Sequence, residues 1–503
     1  MKIDARASGS AQLKTYRMYI GGKWVEAASG AHFESFNPFT GKPWALIPRG
    51  GIKDVDRAVE AAYAASRGPW RKMTNTVRGA LIRKLADALA NHAEHLAEIE
   101  TRDNGKLFAE TVAQTRYLPE YYYYFAGLAD KIEGSVFPID KPGHLTYTRH
   151  EPIGVVAAIA PWNSPLMLTT WKIAPALAAG NTIVIKPSKF TSASTLEFAA
   201  IAETVGFPPG VINVVTGFGG EVGVPLTEHP LVGKVAFTGS EASGKEIYGH
   251  AAKTLKRVTL ELGGKSANIV FADANLDNAA KGAISGIFAA CGQTCIAGSR
   301  LLVQRRVHDE MVDKLVKLGG SARLGDPMQD ATQIGPVSNL GQLDKILSYI
   351  DIARQQGATP VLGGARPSDP ALADGWFVQP TIFTGVNNQM RVAREEIFGP
   401  VLSVIPFDEE EEAIAIANDS PYGLAAGVWT ENIARAIRVP AELEAGTVWV
   451  NTYRATSFMA PFGGYKMSGI GREGGRDMIH EYLQVKAVWM CTITDVPNPF
   501  ILR

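Results

Sequence analysis

Cys291 and Cys295 stand four residues apart in "GIFAACGQTCIAGSR", residues 286–300, and are two of the three cysteines in the chain. A cysteine can clip a metal, pair as a disulfide, sit inert in a core, or attack as a thiolate. A structural zinc site needs about four ligands at close spacing. This stretch offers no histidine and no second cysteine pair, so no metal is expected. Two sulfurs this close in a tight turn are poorly placed for disulfide geometry. Two readings stay open: a buried thiol acting as a small apolar group, or a nucleophile. Cys295 follows a glycine-containing break after a helix-like run. A backbone N–H beside a sulfur in such a turn can also hold an oxyanion.

Three further stretches carry chemical groups in unusual settings. "LELGG" places Glu261 at the end of an apolar strand before two glycines. A carboxylate there needs a partner or a task. It is either a salt-bridged core group or a desolvated carboxyl whose raised pKa suits a general base. "APWNSP" brackets Asn163 with prolines; the residue is either a turn former or a carboxamide donor fixed at a strand end. "FTGSEASG", with Gly239 and Gly244, opens a helix, and its backbone can approach an anion such as pyrophosphate. It is not a G-x-G-x-x-G pattern, and a plain strand-to-helix turn is the alternative. "TGFGGEVG", with Gly217, Gly219, Gly220 and Gly223, is a second such turn.

The elements that must position these groups follow from period and punctuation. The chain has 503 residues, enough for two or three domains. Apolar residues make up 46%, and Lys+Arg and Asp+Glu balance at 50 each, so no net field favours nucleic acid or an acidic membrane. No apolar leader and no run of about 18 apolar residues is seen. Three cysteines suit a reducing compartment, so a cytoplasmic location without membrane partners is expected. Residues 1–15 are polar and aperiodic and read as disordered. From Asp54 to Asn104 the pattern is helical, with Leu81, Leu85 and Leu89 in one stripe beside Ile82 and Ala86. "RYLPEYYYYFAGLADKI" reads as an aromatic-rich helix and "HLTYTRHEPIG" as a strand. From residue 154, short buried strands ("GVVAAIA", "NTIVIKPS", "VINVVTG", "GKVAFTGS", "RVTLELGG") alternate with helices over Leu166–Ala179, Ser192–Val205 and "EASGKEIYGHAAKTL". That alternation predicts a parallel sheet covered on both faces, with ligands at the carboxyl ends of its strands. A second α/β pattern runs from about Ser266 to Val450, and the tail "EYLQVKAVWM" alternates as an edge strand.

Taken in order, "PWNSP", "IKPS", "FTGS", "LELGGKSANIV", "GQTC", "EEIFGPV" and "PFGGYKMSG" resemble the motifs of the aldehyde dehydrogenase superfamily. The likeness runs from "YIGGKWVEA" to the tail. It implies an α/β chain: a Rossmann-like cofactor domain (1–135 and 155–263), a catalytic α/β domain (264–477) and a small β oligomerisation flap (136–154 and 478–503). A homodimer or homotetramer is therefore expected. The resemblance makes Cys295, the cysteine after G-Q-x, the nucleophile toward an aldehyde. Asn163 and the Cys295 N–H hold the oxyanion, hydride passes to a nicotinamide, and Glu261 activates the water that releases the acid. Cys291 is not expected to attack.

For the cofactor, NAD or NADP, the resemblance implies Ile159, Ala160, Pro161 and Trp162 after the first strand. It adds Lys186, Ser188 and Lys189 after the second, and the turn glycines Gly219 and Gly223. Phe237, Thr238, Gly239, Ser240, Gly244 and Leu262, with Glu396 and Phe398, complete the set. One position departs from the family. Where many NAD-using members carry Glu after K-P-S, this chain has Lys189. A lysine there can pair with a 2′-phosphate, which leans toward NADP; a solvated lysine with NAD still bound through Lys186 is the alternative. The substrate tunnel is expected from Ser164, Leu168, Trp171, Arg454, Thr456 and Phe462. Ser164 stands where many members carry an aromatic, and Arg454 is a candidate anchor for a polar or semialdehyde-type tail. The resemblance leaves two other classes: a CoA-acylating relative, which would usually lack Glu261, and a non-catalytic relative, which would lack the nucleophile.

Overall fold

The computed structural model describes residues 13–493 and 498–501. Its largest sheet has eight strands in the order Gly469–Ile470, Arg257–Glu261, Val232–Thr238, Val155–Ile159, Thr182–Lys186, Ile212–Val214, Met18–Ile20 and Lys23–Val25. The five strands from Arg257–Glu261 to Ile212–Val214 run parallel. Parallel strands need crossovers, and helices covering both faces make the strands apolar throughout: every residue of Val155–Ile159 and of Thr182–Lys186 is buried. The crossovers include Pro165–Ala178, Ala193–Glu203 and Glu241–Ala252.

Strand order reverses beside Val155–Ile159, which pairs with Thr182–Lys186 on one edge and Val232–Thr238 on the other. Such a switch point opens a crevice outside the strands' carboxyl ends. "APWNSP" and "FTGSEASG" both emerge there. A second, seven-stranded sheet runs Thr359–Leu362, Thr381–Thr384, Val401–Phe407, Arg300–Gln304, Ala267–Val270, Ala425–Trp429 and Thr447–Val450. It is parallel except at its first edge pair. The strand Gly469–Ile470 leaves the stretch 264–477 to complete the first sheet, pairing with Leu260 and Glu261. A third sheet joins Leu483–Cys491, His144–Pro152 and Val136–Phe137, with nine antiparallel pairs from Leu483–Pro152 to Cys491–His144.

The helical stretch becomes four helices between Ile52 and Asn104. In Asn75–Asn91, Ile82, Leu85, Ala86 and Leu89 are fully buried, and Leu81 lies at the stripe's margin. Helix Phe108–Leu128 packs beside it and turns Tyr121, Tyr122 and Phe125 into the core. One expectation is corrected. Lys14 and Thr15, inside the stretch read as disordered, form a short strand paired in parallel with Ala45 and Leu46. Their side chains are exposed, so polarity hid a backbone pairing, and the Tyr16 hydroxyl anchors the segment by donating to Glu197 Oε1 (2.8 Å). The rest of that expectation, residues 1–12, lies outside the described residues. Among the described residues, no helix is long and apolar enough to cross a membrane.

Candidate active site

Helix Leu276–Phe288 ends at a sharp turn in which Ala290 and Cys291 take left-handed backbone (φ 51° and 53°). Gly292 follows at φ 68°, where a Cβ would overlap the backbone of Gly399. Non-glycine residues rarely adopt this conformation, and the turn is pinned from outside. Ala290 N–H donates to Glu110 Oε1 (3.0 Å), and Gln293 Oε1 accepts from Ser338 N–H (2.9 Å). Cys291 is buried beneath the turn, its thiol pushed up to about 12 by burial and then by Glu110. Cys291, Cys295 and Cys491 are all free thiols.

Cys295 lies in the wall between two cavities. The first, of about 580 Å³, is bounded by Pro161, Trp162, Thr238, Gly239, Ser240, Leu262, Glu396 and Phe398 among others. The second, of about 1040 Å³, is bounded by Ser164, Leu168, Trp171, Arg454, Thr456, Phe462 and Glu261 among others. Cys295, Asn163, Leu168 and Thr238 border both. Asn163 ends the loop after Val155–Ile159, and its Nδ2 donates to the Gln293 carbonyl (2.9 Å). That contact ties the carboxamide to the turn that carries Cys295 and leaves its second N–H available.

The comparisons with known proteins agree. The family model described as "Aldehyde dehydrogenase family" matches residues 24–488. The chain belongs to the aldehyde dehydrogenase family. It is 46% identical over 478 or more residues to curated relatives. One is a (Z)-2-((N-methylformamido)methylene)-5-hydroxybutyrolactone dehydrogenase of Acinetobacter baylyi, matched over 98% of this chain and 100% of that one. Among solved structures, an aldehyde dehydrogenase of Bacillus cereus in complex with NAD+ superposes with a TM-score of 0.93 at 46% identity, covering 95% of this chain and 97% of that one. A betaine aldehyde dehydrogenase of Staphylococcus aureus in complex with NAD+ gives 0.95 at 41% identity, covering 96% of each chain.

Aldehyde dehydrogenases oxidise an aldehyde with a nicotinamide cofactor through a cysteine, and the electrostatics here suit that chemistry. The Cys295 thiol opens on the cavities rather than on bulk water. Burial, then the carboxylates Glu396 and Glu261, push it up to about 12. Glu261 ends strand Arg257–Glu261, and neither of its carboxylate oxygens has a hydrogen-bond partner. Burial, then the charge of Glu473, raise it well above the usual carboxylate range, while Lys172 and Arg472 pull it back. Gly463 makes room for this carboxylate: a Cβ there would sit 2.9 Å from Glu261 Oε1. Behind it, the buried Lys172 donates to Thr238 Oγ1 and Glu473 Oε1, both at 2.6 Å.

The first cavity gathers many of the residues that the resemblance assigned to the cofactor. Glu396 Oε1 accepts from Gly264 N–H (2.9 Å), and its other oxygen lies over Gly263, where any Cβ would collide. Trp162 and Phe398 meet edge to face at 5.2 Å, and Phe398 takes left-handed backbone, φ 60°. Ser240 caps helix Glu241–Ala252 by accepting from Ser243 N–H (3.3 Å), and Gly244 packs against Leu262. Ile159, Ala160 and Phe237 are buried in and just beyond their strands. Lys186, Ser188 and Lys189 lie farther along the sheet edge, outside this cavity. Lys186 runs past Gly223 and donates to the Pro187 carbonyl (3.0 Å), its pKa lowered to about 8 by burial and then by Lys189. Lys189 rests on the rings of Phe190 and Phe218. Gly219 and Gly223 bound a single turn of π-helix there.

Sequence reasoning missed several wall residues. Gln342 and Lys345 border the first cavity, and Gln342 Nε2 donates to the carbonyls of Ile397 and Phe398. Gln114, Tyr117, Met167 and Ile296 border the second. Tyr117 lies in the segment read as an aromatic-rich helix, whereas Gln114 precedes that segment and carried no signal.

Proposed function

We propose that this chain oxidises an aldehyde bearing a polar or carboxylate tail to the corresponding acid, with Cys295 as nucleophile. The observation that carries the reading is Cys295 in the shared wall of two cavities, with Asn163 beside it and the unpartnered Glu261 facing the second. The first cavity takes the nicotinamide, held by Trp162, Ser240, Glu396 and Phe398. When bound, that group supplies the acceptor for the hydride.

Every other step falls to side chains of this chain. Cys295 rests as a thiol, because burial and two neighbouring carboxylates oppose its ionisation. Its proton must leave before the sulfur attacks, and Glu261, raised by burial and lacking a partner, accepts it. The Asn163 N–H not given to Gln293 and the Cys295 N–H receive the oxyanion, a donor of this kind contributing roughly 3–4 kcal/mol. Once it has passed the thiol's proton to solvent, Glu261 is again a carboxylate and takes the proton of the water that cleaves the thioester. The presence of Glu261 favours water over CoA as the acyl acceptor.

Three finer points belong to the same proposal. Lys186 and Lys189 lie together with no carboxylate partner among the described residues, which supports NADP use through a 2′-phosphate. Leu483–Cys491 is an edge strand with Val485 and Trp489 exposed, which supports a homodimer or homotetramer built on it. A chain whose three cysteines are free suits the cytoplasm. The test is a panel of aliphatic, aromatic and ω-carboxylated aldehydes run with NAD+, NADP+ and CoA. Expected is a carboxylate product, fastest from ω-carboxylated members. An acyl-CoA product, or no turnover of any aldehyde, would overturn the proposal.

A further inference from the structure

Lys106 is 6% exposed and sits behind the second cavity. Its Nζ donates to Gln114 Oε1 and to Ser164 Oγ, both at 2.8 Å, and pairs with Glu100 Oε1 at 3.7 Å. An ammonium has donors only. Both acceptors are therefore fixed in one sense. Gln114 must turn its carbonyl oxygen to Lys106, which sends its NH2 the other way. Ser164 Oγ must accept from Lys106, which leaves its own proton free to donate. Among the described residues, neither that hydroxyl nor Gln114 Nε2 donates to any protein group, and both residues border the cavity.

A second observation supports the same arrangement. Ser164 is the N-cap of helix Pro165–Ala178, a position where serine usually accepts from the helix's first N–H groups, yet it makes no such bond. Glu100 Oε2 accepts from Leu166 N–H instead (3.3 Å). The buried carboxylate caps the helix and releases the serine. Arg454 completes the wall. It is held in left-handed backbone (φ 70°), uses Nη1 to donate to the Ser285 carbonyl (3.1 Å), and has no carboxylate partner among the described residues. Ser164, Gln114 and Arg454 thus present donors, while Tyr117, Met167, Trp171 and Phe462 supply apolar surface.

We propose that Lys106 is a positioning residue for substrate specificity: it orients Ser164 and Gln114 as donors that, with Arg454, bind the distal carboxylate of an ω-oxo acid. This inference rests on the reading of the cavity as the aldehyde site, and it adds which residues choose the tail. A carboxylate is the ligand that needs several donors and offers none. A hydroxylated or neutral tail would leave part of this wall unpaired.

The test compares kcat/KM for 4-oxobutanoate, 5-oxopentanoate and 6-oxohexanoate with kcat/KM for the unbranched aldehydes pentanal and hexanal. It uses the full-length protein and its Ser164→Ala, Gln114→Leu and Lys106→Met variants. For the preferred chain length, Ser164→Ala and Gln114→Leu each lower the carboxylated-to-neutral ratio about tenfold, carried in KM, as expected for one hydrogen bond to a charged group. Lys106→Met lowers the ratio at least as far. Combining it with Ser164→Ala adds little, because the serine's orientation is already lost. Should Lys106→Met fail to fold with Glu100 left unpaired, the Ser164 and Gln114 variants, which keep that pair, decide the matter. Equal losses on charged and neutral aldehydes, or strictly additive losses from Lys106 and Ser164, overturn the inference. A wild-type enzyme active on neutral aldehydes with no preference for ω-oxo acids overturns the tail assignment and leaves the chemistry at Cys295 standing. A wild-type enzyme inactive on every aldehyde overturns the parent reading.

Discussion

The two cavities that meet at Cys295 are built in opposite ways. The first cavity, proposed for the cofactor, rests largely on strand ends and the turns that follow them: Pro161 and Trp162 after Val155–Ile159, Thr238 to Ser240 at the end of Val232–Thr238, Leu262 and Gly263 after Arg257–Glu261. Sheet pairing fixes that part of the wall, and Gln342, Lys345, Glu396 and Phe398 close it from outside the first sheet. The second cavity, proposed for the substrate, is assembled largely from side chains on helix Phe108–Leu128, helix Pro165–Ala178, the Cys295 turn and the segment around residues 454–462. Backbone-built walls tolerate little change. Side-chain walls can be altered one residue at a time, and selectivity belongs there.

The largest expected effects lie at the shared wall and bring both sides down together. Cys295→Ser should lower kcat by at least about 10⁴-fold, whereas Cys291→Ala, beneath the turn, should stay within roughly threefold. Steady-state kinetics of the two variants separate the sulfurs. Asn163→Ala should lower kcat by roughly 100- to 1000-fold with little change in KM. It also leaves the Gln293 carbonyl without its donor.

Glu261→Gln should lower kcat by about 100-fold or more and raise stability. Glu261 is raised above its ordinary value of 4.5, so the fold favours its neutral form. That stability is fully present below pH 4.5 and is lost as pH climbs toward the raised folded value. Glutamine suffers no such loss. The Tm of Glu261→Gln should therefore exceed wild type by more at pH 8 than at pH 5, as thermal melts at the two pH values would show. Wild-type activity should likewise rise with pH through the alkaline range, since Cys295 and Glu261 must both release protons.

Smaller effects separate the two sides. Lys189→Glu should shift the ratio of kcat/KM for NADP+ to NAD+ toward NAD+ by about tenfold and leave aldehyde selectivity alone. Arg454→Ala should do the reverse: a several-fold loss for carboxylated aldehydes and no change in cofactor ratio. A variant that moved both ratios would break the division between the cavities.

The same contrast explains what could be read in advance. Strand–turn–helix alternation is periodic, so the parallel strands of the first sheet and the positions of "APWNSP", "FTGSEASG" and "LELGG" were legible in the residues, whereas the strand order was not. Their convergence on one sulfur was not, because Cys295 reaches the crevice from the second sheet. The strand Gly469–Ile470 was missed as a member of the first sheet because two residues carry no periodicity. Lys14 and Thr15 were misread because their backbone pairs while their side chains face out. The Lys106 cluster was invisible: a lysine, a glutamine and a serine 58 residues apart at the extremes have no shared pattern until two helices bring them together.

The central claim is that the sulfur at 295, and no other, carries the acyl group. Glu261→Gln, mixed with an ω-oxo acid and the oxidised cofactor at alkaline pH, where hydroxide takes the Cys295 proton in place of Glu261, should accumulate a thioester. Intact mass would show one acyl group per chain with one equivalent of reduced cofactor, and fragmentation of the peptide spanning residues 282–300 would place it. Acylation confined to Cys295 is the expected result. Acyl mass on Cys291, or a full equivalent of reduced cofactor with no acylated cysteine, would contradict it.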